Sequence, residues 1–145
     1  MSKRDSIIIH HSATKDTGTV SWGAIRKYHV ETCGWRDIGY NYGIELVGDD
    51  YEILVGRFED EIGAHTKGWN QRSIGICMVG DFDTSPPPIK QINLTVELVQ
   101  YLMRTYDIKA HEVKGHREAD RRGAYPKKSC PGKLFDMEKF RERIG

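Results

Sequence analysis

Short apolar runs alternate along this chain with polar turns and amphipathic stretches. The isoleucines at 7–9 run into His10 and His11, which is typical of a strand buried on both faces that ends in polar residues. GYNYGIEL and YEILVG predict two strands joined at Gly48–Asp50, a hairpin signal. SIGICMVG, from Ser73 to Gly80, predicts a fourth strand, and HEVKGH predicts a short fifth one.

Three other stretches place apolar residues at helical spacing. The first follows Ser21, which can cap a helix, and stops at Gly34. The second follows Pro88 and has its apolar residues at steps of three and four, namely Ile89, Ile92, Val96, Val99, Met103 and Tyr106. The third follows Asp136 and runs to Ile144, while the polar sequence from Arg117 predicts a loop. We therefore expect an α/β fold, one domain over residues 1–145 with a mixed central β-sheet flanked by about three main α-helices.

The overall charge narrows the range of partners. The 22 basic and 21 acidic residues leave a formal charge of +1, without the basic footprint of a nucleic-acid binder. No apolar run reaches the length of a membrane span, and the first residues do not resemble an export signal. Three widely spaced cysteines do not predict a disulfide framework. We expect no nucleic-acid or membrane partner, and reduced thiols in a protein made in the cytosol.

Histidine and cysteine are the strongest candidates for chemistry. His116 lies in GHRE, and Cys130 follows fourteen residues later in KKSCPG, which is not the spacing of a zinc finger. The spacing suits a site built from distant segments, with two imidazoles and one thiolate around zinc and a fourth position open for water. Such an ion lowers the pKa of a bound water and polarises a carbonyl. Strand alternation allows only one of His10 and His11 to reach this site easily, but does not decide which.

The motifs form an ordered set: IIIHHSAT, RDIGYNYGI, GAHTKGWNQRSIGICMVGDF, GHRE and KKSCPG. In this combination the chain resembles the zinc-dependent N-acetylmuramoyl-L-alanine amidase family, which includes the amidase-type lysozymes (endolysins) of T-odd coliphages and the peptidoglycan recognition proteins. The resemblance extends from about Ile7 to the last helix. It implies an amidase/peptidoglycan-recognition-protein-like fold and hydrolysis of the amide bond between N-acetylmuramic acid and L-alanine of the stem peptide by zinc-activated water.

The resemblance also implies roles for individual residues. His10, His116 and Cys130 match the family's ligands for one Zn²⁺, so His10 rather than His11 is the expected ligand. Tyr40 of DIGYN matches the family's catalytic tyrosine, and Lys128 of KKSC matches the catalytic lysine of the phage lysozymes. Without the resemblance, Tyr40 would be interpreted as a half-buried strand aromatic and Lys128 as a solvated charge.

The remaining polar and sulfur-containing residues have less specific interpretations. The segment after GAH predicts substrate contacts along a groove, at His65, Trp69 and Asn70. His11 is expected to be a polar core residue, and His29 to face either the groove or the sheet. Cys33 and Cys77 are interpreted as packing residues.

The resulting functional hypothesis is a peptidoglycan hydrolase, a phage or prophage endolysin that is made in the host cytoplasm and acts on the cell wall after release. One alternative is a recognition module that binds peptidoglycan without cutting it. Another is a phage lysozyme that also inhibits the phage RNA polymerase. Peptidoglycan is the expected substrate and partner, and a chain of this size is expected to be a monomer.

Overall fold

The computed structural model describes residues 4–14, 21–119 and 129–145. Its strands are β1 Ser6–His11, β2 Tyr42–Val47, β3 Asp50–Val55, β4 Ser73–Met78 and β5 Val113–Gly115. Its helices are α1 Trp22–Lys27, α2 Ile89–Tyr106, α3 His116–Ala119 and α4 Met137–Ile144, with a π-helical turn at Tyr28–Thr32 and a 3-10 turn at Ala110–Glu112. Within these ranges no helix has both the length and the apolar character needed to cross a membrane.

The five strands form one mixed sheet in the order β3-β2-β4-β1-β5. β1 lies at neither edge and pairs in parallel with both β4 and β5. β2 pairs in parallel with β4 and antiparallel with β3, through a hairpin in which Gly48 has a φ of +66°. The predicted fold class, strands and hairpin are confirmed.

The two outer predicted helices begin differently. Asp136 caps α4 as predicted, because its side chain accepts a hydrogen bond from the Lys139 N–H at 3.1 Å. Ser21 is the N-cap residue of α1, as predicted, but its hydroxyl makes no capping hydrogen bond to the helix. Instead the buried Glu45 carboxylate on β2 accepts hydrogen bonds from the Ser21 N–H and hydroxyl and from the Trp22 N–H. A carboxylate on the sheet therefore anchors the start of α1.

The segment after β5 is not the continuous loop that its polar sequence predicts. α3 begins at His116, directly after Gly115, and covers His116–Ala119. Four residues are too few to show a helical period of apolar positions, so the pattern along the chain contains no signal for this helix.

Strand alternation divides the apolar residues between the two faces of the sheet. Ile7 and Ile9 belong to the cluster that includes Leu102 of α2 and Phe140 of α4. Ile8 belongs to a separate small cluster with Trp69 and Ala119. Because side chains alternate along β1, His10 shares the face of Ile8 and His11 shares the face of Ile7 and Ile9.

Candidate active site

The register of two parallel strands brings the two predicted histidine ligands together. Ile9 of β1 pairs with Gly115 of β5, so His10 and His116 follow at neighbouring positions of the two strand ends. Their ring centroids are 4.7 Å apart. The carboxyl ends of these strands meet at one edge of the sheet, which explains how residues 106 positions apart share a site.

The thiol of Cys130 completes a three-residue cluster. Its Sγ lies 3.8 Å from His10 Nδ1 and 3.4 Å from the His11 backbone nitrogen. One ligand atom from each of His10, His116 and Cys130 lies within 4.8 Å of the others. A tetrahedral zinc ion with ordinary bond lengths separates an imidazole nitrogen from a thiolate sulfur by about 3.6 Å. The donor types and their spacing therefore fit a zinc ion.

Arg117 ties the turn that carries Cys130 to the helix that carries His116. Its backbone N–H donates to the Cys130 carbonyl at 2.8 Å. Its guanidinium donates to the carbonyls of Ser129 at 3.0 Å, Gly132 at 2.7 Å and Phe135 at 2.8 Å. These bonds couple the placement of two candidate ligands.

Asp83 also holds this turn. Its carboxylate accepts hydrogen bonds from the Ser129 hydroxyl at 3.1 Å and from the Lys133 N–H at 2.8 Å. The hydrogen bond from Lys133, followed by that from Ser129, lowers the pKa of Asp83. The turn is thus held by a cation and by an anion, both of which contact Ser129.

The second nitrogen of His10 has its own partners. His10 Nε2 lies 2.9 Å from His65 Nδ1 and 3.2 Å from the Thr66 hydroxyl oxygen. Burial, followed by the neighbouring imidazoles, lowers the pKa of His10 well below its usual value. Burial also lowers the pKa of His65 to about 3. Both imidazoles are therefore neutral near pH 7, and a ring nitrogen of His10 can bind a metal without first losing a proton.

Tyr40 lies beside the cluster. Its ring centroid is 5.1 Å from that of His10. Burial, followed by the nearby thiols of Cys77 and Cys130, raises the pKa of Tyr40 well above its usual value. The phenol therefore keeps its proton at neutral pH and remains a hydrogen-bond donor.

A cavity of about 410 Å³ opens next to Tyr40. It is lined in the described part of the chain by Ser12, Thr14, Ser21, Ala24, Ile25, Tyr28, His29 and Tyr40. The π-helical turn contributes Tyr28 and His29, and the anchored start of α1 contributes Ser21. The cluster thus adjoins an open groove with hydroxyl and aromatic walls, which suits a polar substrate with apolar parts.

Two further histidines have defined structural positions. His11 is 7% exposed, stacks on Phe82 and accepts a hydrogen bond from the Phe82 N–H at 3.1 Å, which confirms it as a polar core residue. His29 accepts a hydrogen bond from the Gly39 N–H at 3.0 Å and lines the groove. Of the two predicted orientations, towards the groove or towards the sheet, the structure therefore shows the groove.

The two cysteines outside the cluster differ in burial, so the packing role predicted for both is confirmed for one and wrong for the other. Cys77 is buried, as expected for a packing residue. Cys33 is exposed at the end of the π-helical turn, so its interpretation as a packing residue is wrong. All three cysteines of the chain are described and form no disulfide, as expected.

The three predicted substrate contacts occupy different environments. His65 adjoins His10. Trp69 is 5% exposed, packs with Ile8 and Ala119, and has the guanidinium of Arg72 4.4 Å from its ring centroid. This placement gives Trp69 a packing role that the sequence pattern did not indicate.

Asn70 organises the segment that carries His65. Its Oδ1 accepts hydrogen bonds from the N–H groups of His65 at 2.8 Å and Thr66 at 2.9 Å. Contacts of His65, Trp69 and Asn70 with a substrate stay predictions. Lys128 lies outside the described residues, and its catalytic role also stays a prediction.

Sequence reasoning missed three residues that support the site. Thr66 directly follows His65, and this adjacency is the only signal for its hydroxyl near His10. Arg117 directly follows His116, but its bonds to the distant turn leave no local pattern. Asp83 precedes the turn that it holds by more than forty residues, so no spacing along the chain indicates it.

The fold and the cluster together describe an α/β domain with a candidate metal centre beside a groove. Residues 2–133 match the family described as N-acetylmuramoyl-L-alanine amidase, and the chain belongs to this family. The endolysin of Escherichia phage T7 is 32% identical over 145 aligned residues, covering 96% of this chain and 86% of the endolysin.

Solved structures agree with this assignment. The N-acetylmuramoyl-L-alanine amidase LysC from Clostridium intestinale matches with a TM-score of 0.81 and 26% identity, covering 98% of this chain and 85% of LysC. A point mutant of the Drosophila peptidoglycan recognition protein PGRP-LB, in complex with tracheal cytotoxin, matches with a TM-score of 0.80 and 29% identity. That match covers 95% of this chain and 80% of the PGRP-LB chain.

Proposed function

We propose that this protein is a zinc-dependent N-acetylmuramoyl-L-alanine amidase that acts as a phage or prophage endolysin. It hydrolyses the amide bond between N-acetylmuramic acid and L-alanine of the stem peptide. The observation that carries this proposal is the cluster of His10, His116 and Cys130, whose ligand atoms lie within 4.8 Å of one another beside Tyr40 and an open groove. Similarity to the T7 endolysin supports the phage assignment.

In this proposal the three clustered side chains hold the metal. A bound zinc supplies a Lewis acid for the amide carbonyl and lowers the pKa of water. His10 is buried and neutral, so it can bind without a competing proton. Arg117 and Asp83 keep the Cys130 turn in place, which limits the motion of the thiol relative to the two imidazoles.

Among the residues that the structure describes, Tyr40 is well placed to help the reaction, because its ring lies 5.1 Å from that of His10. Its phenol stays protonated at neutral pH and can donate a hydrogen bond to the oxygen that becomes negative in the transition state. Such a donor accelerates the reaction because its bond strengthens as charge develops on that oxygen.

The groove is the proposed binding site for the muramyl peptide. Tyr28, His29 and Tyr40 offer aromatic surface, and Ser12, Thr14 and Ser21 offer hydroxyls. PGRP-LB was solved with tracheal cytotoxin, which supports a peptidoglycan fragment as the ligand class. The protein would be made in the host cytoplasm and reach the cell wall at lysis.

The test is a digestion of purified peptidoglycan with and without a chelator. We expect new free amino termini without new reducing sugar ends, loss of cleavage on chelation and recovery with added zinc. Reducing ends would instead identify a glycosidase. Tight binding of peptidoglycan without cleavage would favour a recognition module.

Two cysteine variants test the ligand assignment in the same assay. Cys130→Ser should lose bound zinc in metal analysis and lose cleavage. Cys33→Ser is the matched control, because Cys33 is exposed and outside the cluster, and it should keep both. Undiminished zinc in Cys130→Ser would refute the proposed ligand set.

A further inference from the structure

We propose that His65 is a positioning residue for the metal centre. Its hydrogen bond to His10 holds His10 in the tautomer that has a proton on Nε2 and none on Nδ1. This inference rests on the zinc site of the proposed function. It concerns a hydrogen bond within the protein rather than a contact with substrate.

The two nitrogens of His10 face different groups. Nδ1 is the nitrogen near the Cys130 thiol, at 3.8 Å, and Nε2 lies 2.9 Å from His65 Nδ1. A neutral imidazole carries one N–H, so a metal can bind Nδ1 only when the proton is on Nε2. The proton on His10 Nε2 needs an acceptor. His65 Nδ1 can accept it only if the ring proton of His65 lies on His65 Nε2.

The surroundings of His65 decide where its proton lies. The Ser73 hydroxyl oxygen is 3.5 Å from His65 Nε2 and 2.7 Å from the Trp69 carbonyl oxygen. A carbonyl only accepts, so the Ser73 hydroxyl donates to Trp69 and presents its lone pairs to His65. His65 Nε2 is then the donor and His65 Nδ1 the acceptor. The direction of the hydrogen bonds from His10 through His65 to Ser73 is thus set by the backbone carbonyl of Trp69.

The protein also contains a fitted space for the His65 ring. A Cβ atom at Gly75 of β4 would lie 2.5 to 2.7 Å from three atoms of that ring, and one at Gly63 would lie 2.7 Å from its Cδ2. Neither glycine has a left-handed φ that would itself require glycine. The missing side chains therefore serve the close approach of the ring. Asn70 Oδ1 meanwhile holds the backbone N–H of His65.

Loss of the acceptor should weaken metal binding without touching a ligand. In His65→Leu the buried Nε2 of His10 loses the His65 acceptor and keeps only the Thr66 hydroxyl at 3.2 Å. A hydroxyl can accept from Nε2–H or donate to a bare Nε2, so both tautomers of His10 become accessible. Partners of this kind typically change metal affinity by about 10–100-fold. In His65→Asn the amide oxygen occupies nearly the position of Nδ1, so the hydrogen bond can be restored.

The first measurement is ¹⁵N NMR of the histidine side chains in the metal-free protein near pH 7. We expect His10 with its proton on Nε2 in the wild type, a mixture of tautomers in His65→Leu, and recovery in His65→Asn. A wild-type His10 protonated on Nδ1 would overturn the inference, and so would an unchanged tautomer in His65→Leu. This readout needs no zinc, so it stays informative even if the protein proves not to bind the metal and the proposed function fails.

The second measurement is zinc affinity by competition with a chelator. We expect His65→Leu to bind zinc about 10–100-fold more weakly than wild type, and His65→Asn to recover most of the loss. His111→Leu is the matched control, because the His111 side chain is 76% exposed. Equal affinity of His65→Leu and His111→Leu would contradict the inference. If His65→Leu does not fold, Gly75→Ala tests the same point, since its methyl group displaces the His65 ring and should weaken zinc binding.

Discussion

Replacing Arg117 by methionine should loosen the Cys130 turn while leaving all three candidate ligands in the chain. Methionine keeps much of the length and apolar stem of arginine but has no N–H groups to donate. The variant loses the bonds of 2.7 to 3.0 Å from the guanidinium to three carbonyls. It keeps the backbone bond from residue 117 to the Cys130 carbonyl.

The size of the effect follows from these three bonds. A hydrogen bond from a charged donor contributes about 1.5–3 kcal/mol when buried, and about 1 kcal/mol where water can replace the donor. Because Arg117 is half-buried, we expect a loss of about 3 kcal/mol in the free energy of unfolding. For a chain of this length that corresponds to a decrease in Tm of about 6–12 °C. Zinc affinity should fall at least about tenfold, as for other partners that hold a ligand in place.

The assay combines thermal unfolding with chelator competition at a temperature where every variant is folded. Arg143→Met is the matched control, because Arg143 is exposed and bonds through its guanidinium to the side chain of Asn93. A Tm and a zinc affinity in Arg117→Met no lower than in this control would refute the coupling between Arg117 and the Cys130 turn.

Three further substitutions test separate parts of the structure. Tyr40→Phe should keep bound zinc but release free amino groups about 10²–10³-fold more slowly, and an unchanged rate would exclude the phenol as a donor. Leu102→Ala empties a 0% exposed core position and should cost about 2–5 kcal/mol in urea unfolding; a cost near zero would contradict the packing described. Burial raises the pKa of Glu118, but hydrogen bonds and the charge of Arg141 lower it on balance. A carboxylate whose pKa is lower in the folded than in the unfolded protein stabilises the fold at pH values above its unfolded pKa of about 4.3. This stabilisation is lost as the pH falls through the folded pKa. Glu118→Gln should therefore lower Tm at pH 7 but not at strongly acidic pH, and a pH-independent difference would contradict the linkage.

Local side-chain periodicity was sufficient to predict most of the elements of this fold. The apolar run at Ile7–Ile9 and the steps of three and four from Ile89 to Tyr106 predicted β1 and α2, because each pattern repeats within one strand or helix. The same reasoning could not find α3, which has only four residues. Nor could it show that the Ser21 hydroxyl donates to the Glu45 carboxylate instead of accepting from α1, because Glu45 lies on β2, far from Ser21 along the chain.

The ordered motifs of the chain were sufficient to nominate His10, His116 and Cys130, but not to explain why they meet. That depends on strand order, which places β5 beside β1, and on a register in which Gly115 lies opposite Ile9. The contrast between His10 and His11 has the same origin. Alternation separates the two buried side chains, but only the packing of α2 and α4 on one face shows that His11 faces the main core while His10 faces the cluster with His116 and Cys130.

The partners of the site were the least predictable part. His65 meets His10 across 55 positions of sequence, and Ser129 meets Asp83 across 46. Nothing in the local pattern near His10 indicates which ring nitrogen faces the Cys130 thiol. That choice requires the three-dimensional positions of the hydrogen-bonding groups around both nitrogens, because a tautomer is determined by its acceptors and donors rather than by its neighbours along the chain.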